Sequence, residues 1–518
     1  MKNILWADDE IELLQPYVIY LEKTLGHSVT TVANGSDAIE EFVSKDFDLI
    51  VLDEQMPGMN GLDVLKRMKD IRPETPVVMM TKSEAVETMQ TAIGRLVDDY
   101  LVKPVNLAQM TVCLKKIFEK QALVADSTQQ QFLQEYGQMS QQIGQCTTWD
   151  DWATLYRKIV TWELRLEDNR AIGDTLVALK EEANTSFAKF VEKNYMSWVT
   201  DKEHRGDGPL MSHQLLSHVI KPLIKAKEKV ALIVIDNFRL DQWEVIRPQL
   251  AGDFSIRTEL YSSIVPTATQ FARNSIFSGL LPGEIKKLLP ELWIDQSDNE
   301  DSLNANEREL LSNYFERQRM SGVRSAYYKV NFSDSGENII KKFGGYEKND
   351  LNALVYNFVD MLSHACTDNR TLKELIPTDS AYRNITRQWF LNGTLHEMLN
   401  LLRKKGFKII LTTDHGTIRV GRPIEVKGLK SLNTNIRYKT GKMMSYNPKE
   451  VYEMKNPSEA GLPLAGAGVP YIFATSDKFF VYPNNRNEYI HVYDDSFQHG
   501  GVSMEEMILP LVTLVGKK

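Results

Sequence analysis

The stretch Ile409–Thr417 reads "IILTTDHGT". An apolar run ends in two threonines, and then Asp414 and His415 stand side by side before a glycine. Neighbouring side chains on a strand point to opposite faces. An aspartate followed by a histidine at a strand's end therefore presents metal-type donors on either side of the chain. A carboxylate at the end of a buried strand is costly unless it is paired, hydrogen-bonded or metal-bound. The same situation recurs at Asp236, which ends "VALIVID" after six apolar residues; alone, it reads as a metal ligand, a helix N-cap or an exposed loop end. Asp360 and His364 in "LVYNFVDMLSH" are spaced i,i+4. That spacing puts both on one helix face, about 6 Å apart, where they either grip a cation or form a surface ion pair. His499, in "FQHGG", precedes the late strand "MILPLVTLV". It is either a turn residue or a ligand around which flexible glycines let the backbone close. In "VPTATQFARNSIFSGLLP" (265–282), Thr267 and Thr269 precede a helix whose start aims N–H groups at an anion. A threonine hydroxyl attacks only with help from a base or a metal ion.

Around these positions the chain divides by composition. With 518 residues it is too long for one core. Residues 1–121 alternate short strands with helical patterns and predict a small doubly wound α/β domain. Residues 122–208 hold "WATLYRKIVTWELRL" and "LVALKEEANTSFAKFVEKNY", with apolar residues at three- and four-residue spacing and no proline before position 205. They predict a helical bundle or linker, closed by "DKEHRGDGP" (201–209). Residues 209–518 alternate strands and helices again and predict one large α/β domain. The net charge of −8 argues against non-specific nucleic-acid binding by the whole protein. Three separated cysteines fit a reducing cytoplasm rather than a disulfide framework. The opening "MKNILWADDE" is too acidic and too briefly apolar for a signal peptide, and no run reaches the roughly 20 apolar residues of a membrane helix.

In the front segment Asp8 and Asp9 end the first strand, Asp53 the third, Thr81 the fourth and Lys103 the fifth. One crevice at the carboxyl ends of the strands would collect them. Three carboxylates that close need a cation between them, and a hard, oxygen-ligated ion such as Mg²⁺ suits the gap. The pattern "ADDE…VLDEQMPGMNG…MT…KP" resembles the receiver domain of bacterial two-component response regulators. The resemblance implies a flavodoxin-like fold with Asp53 as phospho-acceptor. It implies Mg²⁺ held by Asp8, Asp9, Asp53 and the Gln55 carbonyl, and Thr81, Tyr100 and Lys103 as switch residues. No helix-turn-helix or basic recognition helix follows position 120, so a DNA-binding output is not expected.

The order Asp, Thr, Asp–x₃–His, Asp–His, His in the large domain resembles the alkaline phosphatase superfamily. Within it, "TATQFARNSIFSG" and "HGGVSMEEMILPLV" resemble the PglZ domain. The likeness implies two zinc ions, one on Asp236, Thr269, Asp414 and His415, the other on Asp360, His364 and His499. It makes Thr269 the nucleophile, with Thr267 as the fallback. Nitrogen and oxygen donors without thiolate suit zinc, with manganese second. Arg273 and Lys329 are the candidate cations for substrate. The segment 419–442 carries seven Lys/Arg against one acid, and reads either as a track for an oligonucleotide or as a solvated loop. The order receiver, helical middle, PglZ-type domain resembles response regulators tied to type IX secretion and gliding. That implies a cytoplasmic protein with a sensor histidine kinase, secretion components and a sigma factor as partners, and a phosphorylation-linked homodimer. Two outputs are open: a zinc-dependent phosphodiesterase acting on oligonucleotides or cyclic nucleotides, or a catalytically silent, zinc-scaffolded binding module.

Overall fold

The computed structural model describes residues 1–81, 96–167, 170–201, 204, 206–295, 300–428, 435–464, 466 and 468–517. Lys430 of the basic segment and positions 202, 203 and 205 of the stretch closing the helical segment lie outside them. The chain forms two compact units, Met1–Gln131 and Phe132–Lys518. The helical segment from Phe132 on thus clusters with the large α/β segment in the second unit.

The first unit runs β1 (Asn3–Ala7), α1 (Gln15–Lys23), β2 (Ser28–Val32), α2 (Gly35–Ser44), β3 (Leu49–Asp53), α3 (Gly61–Ile71), β4 (Val77–Thr81) and β5 (Asp99–Val102). It ends in α4 (Leu107–Ile143), which continues into the second unit. The sheet is parallel in the order β2-β1-β3-β4-β5, the doubly wound order of flavodoxin-like folds. β3 and β4 are buried along their whole length, as strands covered on both faces must be. The side chains of Asn34 and Asn60 accept from the backbone N–H of Asp37 and Asp63 and so fix the starts of α2 and α3.

The second unit opens with α5 (Trp149–Arg165) and α6 (Arg170–Thr200). A reciprocal capping box of Thr148 and Asp151 starts α5. Its large sheet is built from β6 (Val230–Ile235), β7 (Phe254–Ser262), β8 (Ser325–Val330), β9 (Leu351–Tyr356), β10 (Lys408–Thr412) and β18 (Ile508–Gly516), in the order β7-β18-β10-β6-β9-β8. Strands β10, β6, β9 and β8 are parallel, while β18 runs antiparallel to both β10 and β7. The helices that bear on the site are α7 (Leu240–Leu250), α8 (Thr269–Ser278), α9 (Glu307–Arg317), α10 (Phe358–Asp368) and α11 (Asp379–Asn392).

Between His415 and His499 the chain inserts a small β subdomain. β11 (Ile418–Val420) and β17 (Ser496–Gln498) form an antiparallel ribbon at its base. Above it β12 (Arg422–Glu425) pairs with β16 (Lys478–Val481), and β13 (Tyr438–Thr440), β14 (Val451–Met454) and β15 (Tyr471–Ala474) form a three-stranded sheet.

The helical segment is apolar toward the large sheet. Trp152 and Trp162 of α5 and Phe187 and Tyr195 of α6 belong to the same continuous core as Ile233, Leu354 and Leu411 of the strands. Polar anchors sit inside that contact. The Tyr195 hydroxyl accepts the backbone N–H of Val265 at 2.9 Å, four residues before Thr269. The Asn184 side chain accepts from Met504 N at 2.8 Å and donates to the Glu505 carboxylate at 2.9 Å. A buried N–H left without an acceptor costs about 1–3 kcal/mol. Tyr195→Phe should therefore lower the stability of the second unit by about 1–3 kcal/mol, read as a lower denaturant midpoint at unchanged slope.

Candidate metal and phosphoryl-transfer sites

In the first unit, β1 and β3 run parallel and deliver their last residues to one edge. Asp8 follows β1 and Asp53 closes β3; carboxylate oxygens of Asp8, Asp9 and Asp53 lie within 4.8 Å of one another. Asp8 and Asp53 are buried and Asp9 is exposed. Lys103 Nζ sits 3.1 Å from Asp8 and 2.9 Å from Asp53. Burial pushes the Asp53 carboxyl above its usual value, against the pull of Lys103. Burial also works against the Lys103 ammonium, but bonds from Asp53 and Asp8 outweigh it and hold that pKa high. Gln55 is exposed in the loop after β3 and lines a groove with Asp9, Glu54 and Asn60. Position 61 must be glycine, because a Cβ there would come within 2.1 Å of the Asp53 carbonyl. Thr81 closes β4 and donates its hydroxyl to the Glu54 carboxylate. Tyr100 lies half-buried on β5; its hydroxyl has no hydrogen-bond partner among the described residues.

In the second unit, the neighbouring parallel strands β10, β6 and β9 bring Asp414–His415, Asp236 and Asp360 to one sheet edge. Because β18 runs the other way, the residues just before it, including His499, arrive at that same edge. β7 is antiparallel to β18 and so delivers Thr269 there too. Two donor groups result. One joins Asp236, Asp414 and His415, the other Asp360, His415 and His499, each with ligand atoms within 4.8 Å of one another. His415 belongs to both. His364 stands at the rim, with Nε2 3.4 Å from Asp360 and its ring 5.7 Å from that of His499.

Hydrogen bonds orient both histidines. Nδ1 of His415 lies 3.1 Å from the Gly416 carbonyl, and Nδ1 of His499 lies 3.2 Å from the Thr267 carbonyl. Each Nδ1 therefore carries the proton and donates it to a carbonyl, leaving Nε2 bare toward the carboxylates. From His415 Nε2 it is 3.0 Å to Thr269 Oγ1, 3.7 Å to Asp236 and 3.9 Å to Asp414. From His499 Nε2 it is 3.6 Å to Asp360. Burial pushes His499 well below its usual value, with His415 adding to the effect. Burial pushes the Asp360 carboxyl up to about 6 and Asp414 well above the carboxylate range, each raised further by Asp236. Burial would raise Asp236 too, but the Arg273 guanidinium outweighs it and holds it low. The Oδ2 atom of Asp414 is buried without a hydrogen-bond donor among the described residues. Imidazole Nε2 atoms held bare, together with an undonated buried carboxylate oxygen, are what a cation needs and what water-free protein otherwise avoids.

The two threonines separate cleanly. Thr269 is the first residue of α8, half-exposed, with its hydroxyl also 3.5 Å from Asp236 Oδ1. Thr267 is fully buried; its hydroxyl donates to the Gly501 carbonyl at 2.8 Å and accepts from Gly500 N at 3.1 Å. It ties down the His499 loop instead of facing the opening. Gly500 there has φ +119°, a conformation open to glycine.

Other expectations are corrected. Arg273 does not face substrate: it is 1 % exposed, with its guanidinium 2.5 Å from Asp236 and 2.5 Å from Glu307. Helix α8 is buried from Phe271 to Ser278, so a residue four on from Thr269 points into the core. Lys329 is half-buried at the end of β8, and its charge helps to hold Asp236 low. The basic segment is not a continuous basic track. Arg419 pairs with Asp495, Arg422 with Asp477, and Arg437 with Glu506, while buried Lys439 lies over the Tyr482 ring. Lys427 and Lys442 are exposed. Tyr438 packs edge-on against Phe271.

Three residues were not foreseen. Asn237, in the left-handed conformation at φ +62°, donates its backbone N–H to Asp414 at 3.3 Å and its side chain to Asp360 at 3.1 Å. Its place directly after Asp236 was the available signal, since asparagine tolerates that turn. Glu307 grips Arg273, and Glu506 accepts from Gly501 N at 2.9 Å and from Arg437. Neither stands in a local pattern that marks it.

Comparison with known proteins agrees with this division. The model of the BREX system PglZ alkaline phosphatase-like domain matches residues 215–514, that of the PorX response regulator linker domain 122–199, and that of the response regulator receiver domain 4–115. The transcriptional regulatory protein TcrA of Mycobacterium tuberculosis is 38 % identical over 92 residues, 18 % of this chain and 36 % of TcrA. CrdR of Helicobacter pylori is 34 % identical over 118 residues, 23 % of this chain and 55 % of CrdR. The chain thus spans between 36 % and 55 % of the length of these two relatives. A response regulator receiver domain protein of Clostridium thermocellum is 25 % identical, with a TM-score of 0.23, and covers 24 % of this chain and 99 % of its own. CheY4 of Vibrio cholerae is 30 % identical, with a TM-score of 0.21, and covers 23 % of this chain and 98 % of its own. Since the PglZ match takes in more than half of the sequence, the chain belongs to the PglZ alkaline phosphatase-like family, in a response regulator where a receiver and a PorX-type linker precede that domain.

Proposed function

We propose that the protein is a phosphorylation-controlled, zinc-dependent phosphodiesterase. The observation that carries this reading is the Thr269 hydroxyl, half-exposed at a helix start and 3.0 Å from the bare Nε2 of His415 beside two donor groups. Asp236, Asp414 and His415 would hold one zinc ion, and Asp360, His499 and His415 or His364 the other. Bound zinc supplies the positive charge that makes a threonine alkoxide accessible near neutral pH and stabilises the oxygens around phosphorus. The chain does the rest. Thr269 enters as alkoxide, its proton released to solvent. Its oxygen bonds to phosphorus while the ester bond to the leaving alcohol breaks and that alcohol takes a proton from solvent; water then cleaves the threonine-linked diester, freeing the hydroxyl and releasing a phosphomonoester. Ala268 at the N-cap of α8 offers no capping side chain, so the N–H groups of Thr269 and Gln270 would be left for phosphoryl oxygens, while those of Phe271 and Ala272 bond the Ala268 carbonyl. Lys329, whose charge is felt at Asp236, would favour anionic substrates such as the nucleotide diesters we propose. Thr269→Ala should lower diester hydrolysis by more than about a thousandfold with metal content unchanged. Thr267→Ala should disturb metal binding through the His499 loop instead. Undiminished turnover by Thr269→Ala would remove it as nucleophile. Full biological output from that inactive variant would favour a silent, zinc-scaffolded binding module.

Zinc ligands must be deprotonated, so metal uptake expels whatever protons the empty site holds. Asp360, raised to about 6, is half protonated near pH 6 and ionised at pH 8. Zinc added to stripped protein should therefore release more protons per molecule at pH 6 than at pH 8. Calorimetry in buffers of different ionisation enthalpy reads the difference.

The receiver would take a phosphoryl group on Asp53 from a sensor histidine kinase, with Mg²⁺ on Asp8, Asp9, Asp53 and the Gln55 carbonyl. Lys103 already spans Asp8 and Asp53 and would follow the new charge. Thr81 would leave Glu54 for the phosphoryl oxygens, with Tyr100 following. By the PorX-like domain order we place the output in the cytoplasm, in type IX secretion and gliding, through secretion components and a sigma factor. We place activation in homodimerisation. Beryllofluoride with Mg²⁺ should raise the sedimentation coefficient of the protein toward that of a dimer and leave Asp53→Asn unchanged.

A further inference from the structure

Four side chains beneath the candidate metal site, Arg273, Asn357, Glu307 and Tyr327, form a buried chain. Arg273 Nη1 lies 2.5 Å from Asp236 Oδ2 and 3.2 Å from Asn357 Oδ1. Its Nε lies 2.5 Å from Glu307 Oε1. The Tyr327 hydroxyl donates to the other Glu307 oxygen, Oε2. Arg273 is 1 % and Glu307 0 % exposed, and Tyr327 is buried. Substrate reaches none of them.

The arrangement splits Asp236 between two tasks. Oδ2 is held by Arg273, while Oδ1 faces His415 at 3.7 Å and Thr269 at 3.5 Å. A carboxylate whose outer oxygen is pinned offers one oxygen, in one direction, to a cation. A planar guanidinium does this where an ammonium does not, because its fork engages several fixed acceptors at once. Charge balance alone does not explain Glu307. One arginine already neutralises one aspartate, and a second fully buried carboxylate restores the deficit at the cost of desolvation. Glu307 makes sense as the group that aims Arg273, and the Tyr327 hydroxyl as the group that fixes Glu307.

Resting on the di-metal reading above, we propose that Arg273 is a positioning residue for the ion held by Asp236, Asp414 and His415, aimed by Glu307 and Tyr327. It sets which oxygen of Asp236 serves as ligand and does not touch substrate.

Charge and position predict opposite outcomes for Arg273→Met. If Arg273 only balanced charge, removing it would leave the site more negative and tighten cation binding. If it positions Asp236, binding weakens. The test is zinc titration of stripped full-length protein against a chromogenic chelator, resolving the two binding steps. One step should weaken about ten- to a hundredfold in Arg273→Met and Arg273→Lys, the range seen when such supporting partners are lost, while the other is retained. Tyr327→Phe removes only the distal hydroxyl, keeps Arg273 and Glu307, and should weaken the same step by a smaller factor. This variant decides the matter if those at 273 fail to fold. Tighter binding by Arg273→Met overturns the proposal. So does wild-type affinity in Arg273→Lys or Tyr327→Phe, or equal weakening of both steps together with a lower melting temperature of the stripped protein. A wild-type protein that binds no zinc overturns the di-metal reading itself, an outcome distinct from all of these.

Discussion

Asp236, Asp360 and Asp414 leave three neighbouring parallel strands and meet largely out of water. Two unit charges about 4 Å apart repel by roughly 4 kcal/mol at an effective dielectric of 20. Three together exceed what the surrounding hydrogen bonds return at about 1 kcal/mol each. Arg273 relieves Asp236, and Asn237 donates to both Asp414 and Asp360. The remainder shows in the carboxyls of Asp360 and Asp414, both pushed upward by burial and by Asp236. A divalent cation removes the same strain without a proton. Histidines with their bare nitrogens turned inward suit that alternative, since protonated imidazoles between the carboxylates would otherwise be expected.

The rest of the second unit serves to assemble that edge. A purely parallel sheet would deliver only residues that follow strands. The antiparallel β18 adds a residue that precedes one, His499, and β7 beyond it, which runs in the same direction as β10, adds the segment leading to Thr269. Helix α6 supports both additions, through Tyr195 on Val265 and Asn184 on Met504 and Glu505. Asn184 and Tyr195 are eleven residues apart, three turns along one helix face. The helical segment is therefore a structural member of the phosphatase-like unit, which explains why it shares one core with the sheet.

How legible a residue was in the sequence depended on where its reason for being there lies. Asp8, Asp53, Asp236 and Asp414 each end an apolar run, so the cost of burying them is visible locally, and strand geometry brings them to two edges. Arg273 misled for the opposite reason. A cation just downstream of Thr269 reads as a substrate contact, but the partners that draw it inward, Glu307 and Asn357, are distant in sequence. The basic segment misled similarly, because Asp477, Asp495 and Glu506 that neutralise it come from far downstream. Apolar spacing in α5 and α6 marked helices correctly but carried no record of which surface they cover. A lone pattern fixes a face and leaves its partner open.

The two acidic clusters differ in how far their charge is already met. In the receiver crevice Lys103 reaches both Asp8 and Asp53, and the third carboxylate, Asp9, is exposed to water. Solvent and one ammonium make the metal-free state tolerable there. An ion that keeps several waters, as Mg²⁺ does, would exchange readily, and a phosphoryl group could come and go. In the large domain Arg273 is shared between Asp236 and Glu307, and Asp414 has no exposure at all. Emptying that site leaves charge that must be protonated or endured. Physical chemistry thus favours a transient ion in the receiver crevice and a resident one in the large domain.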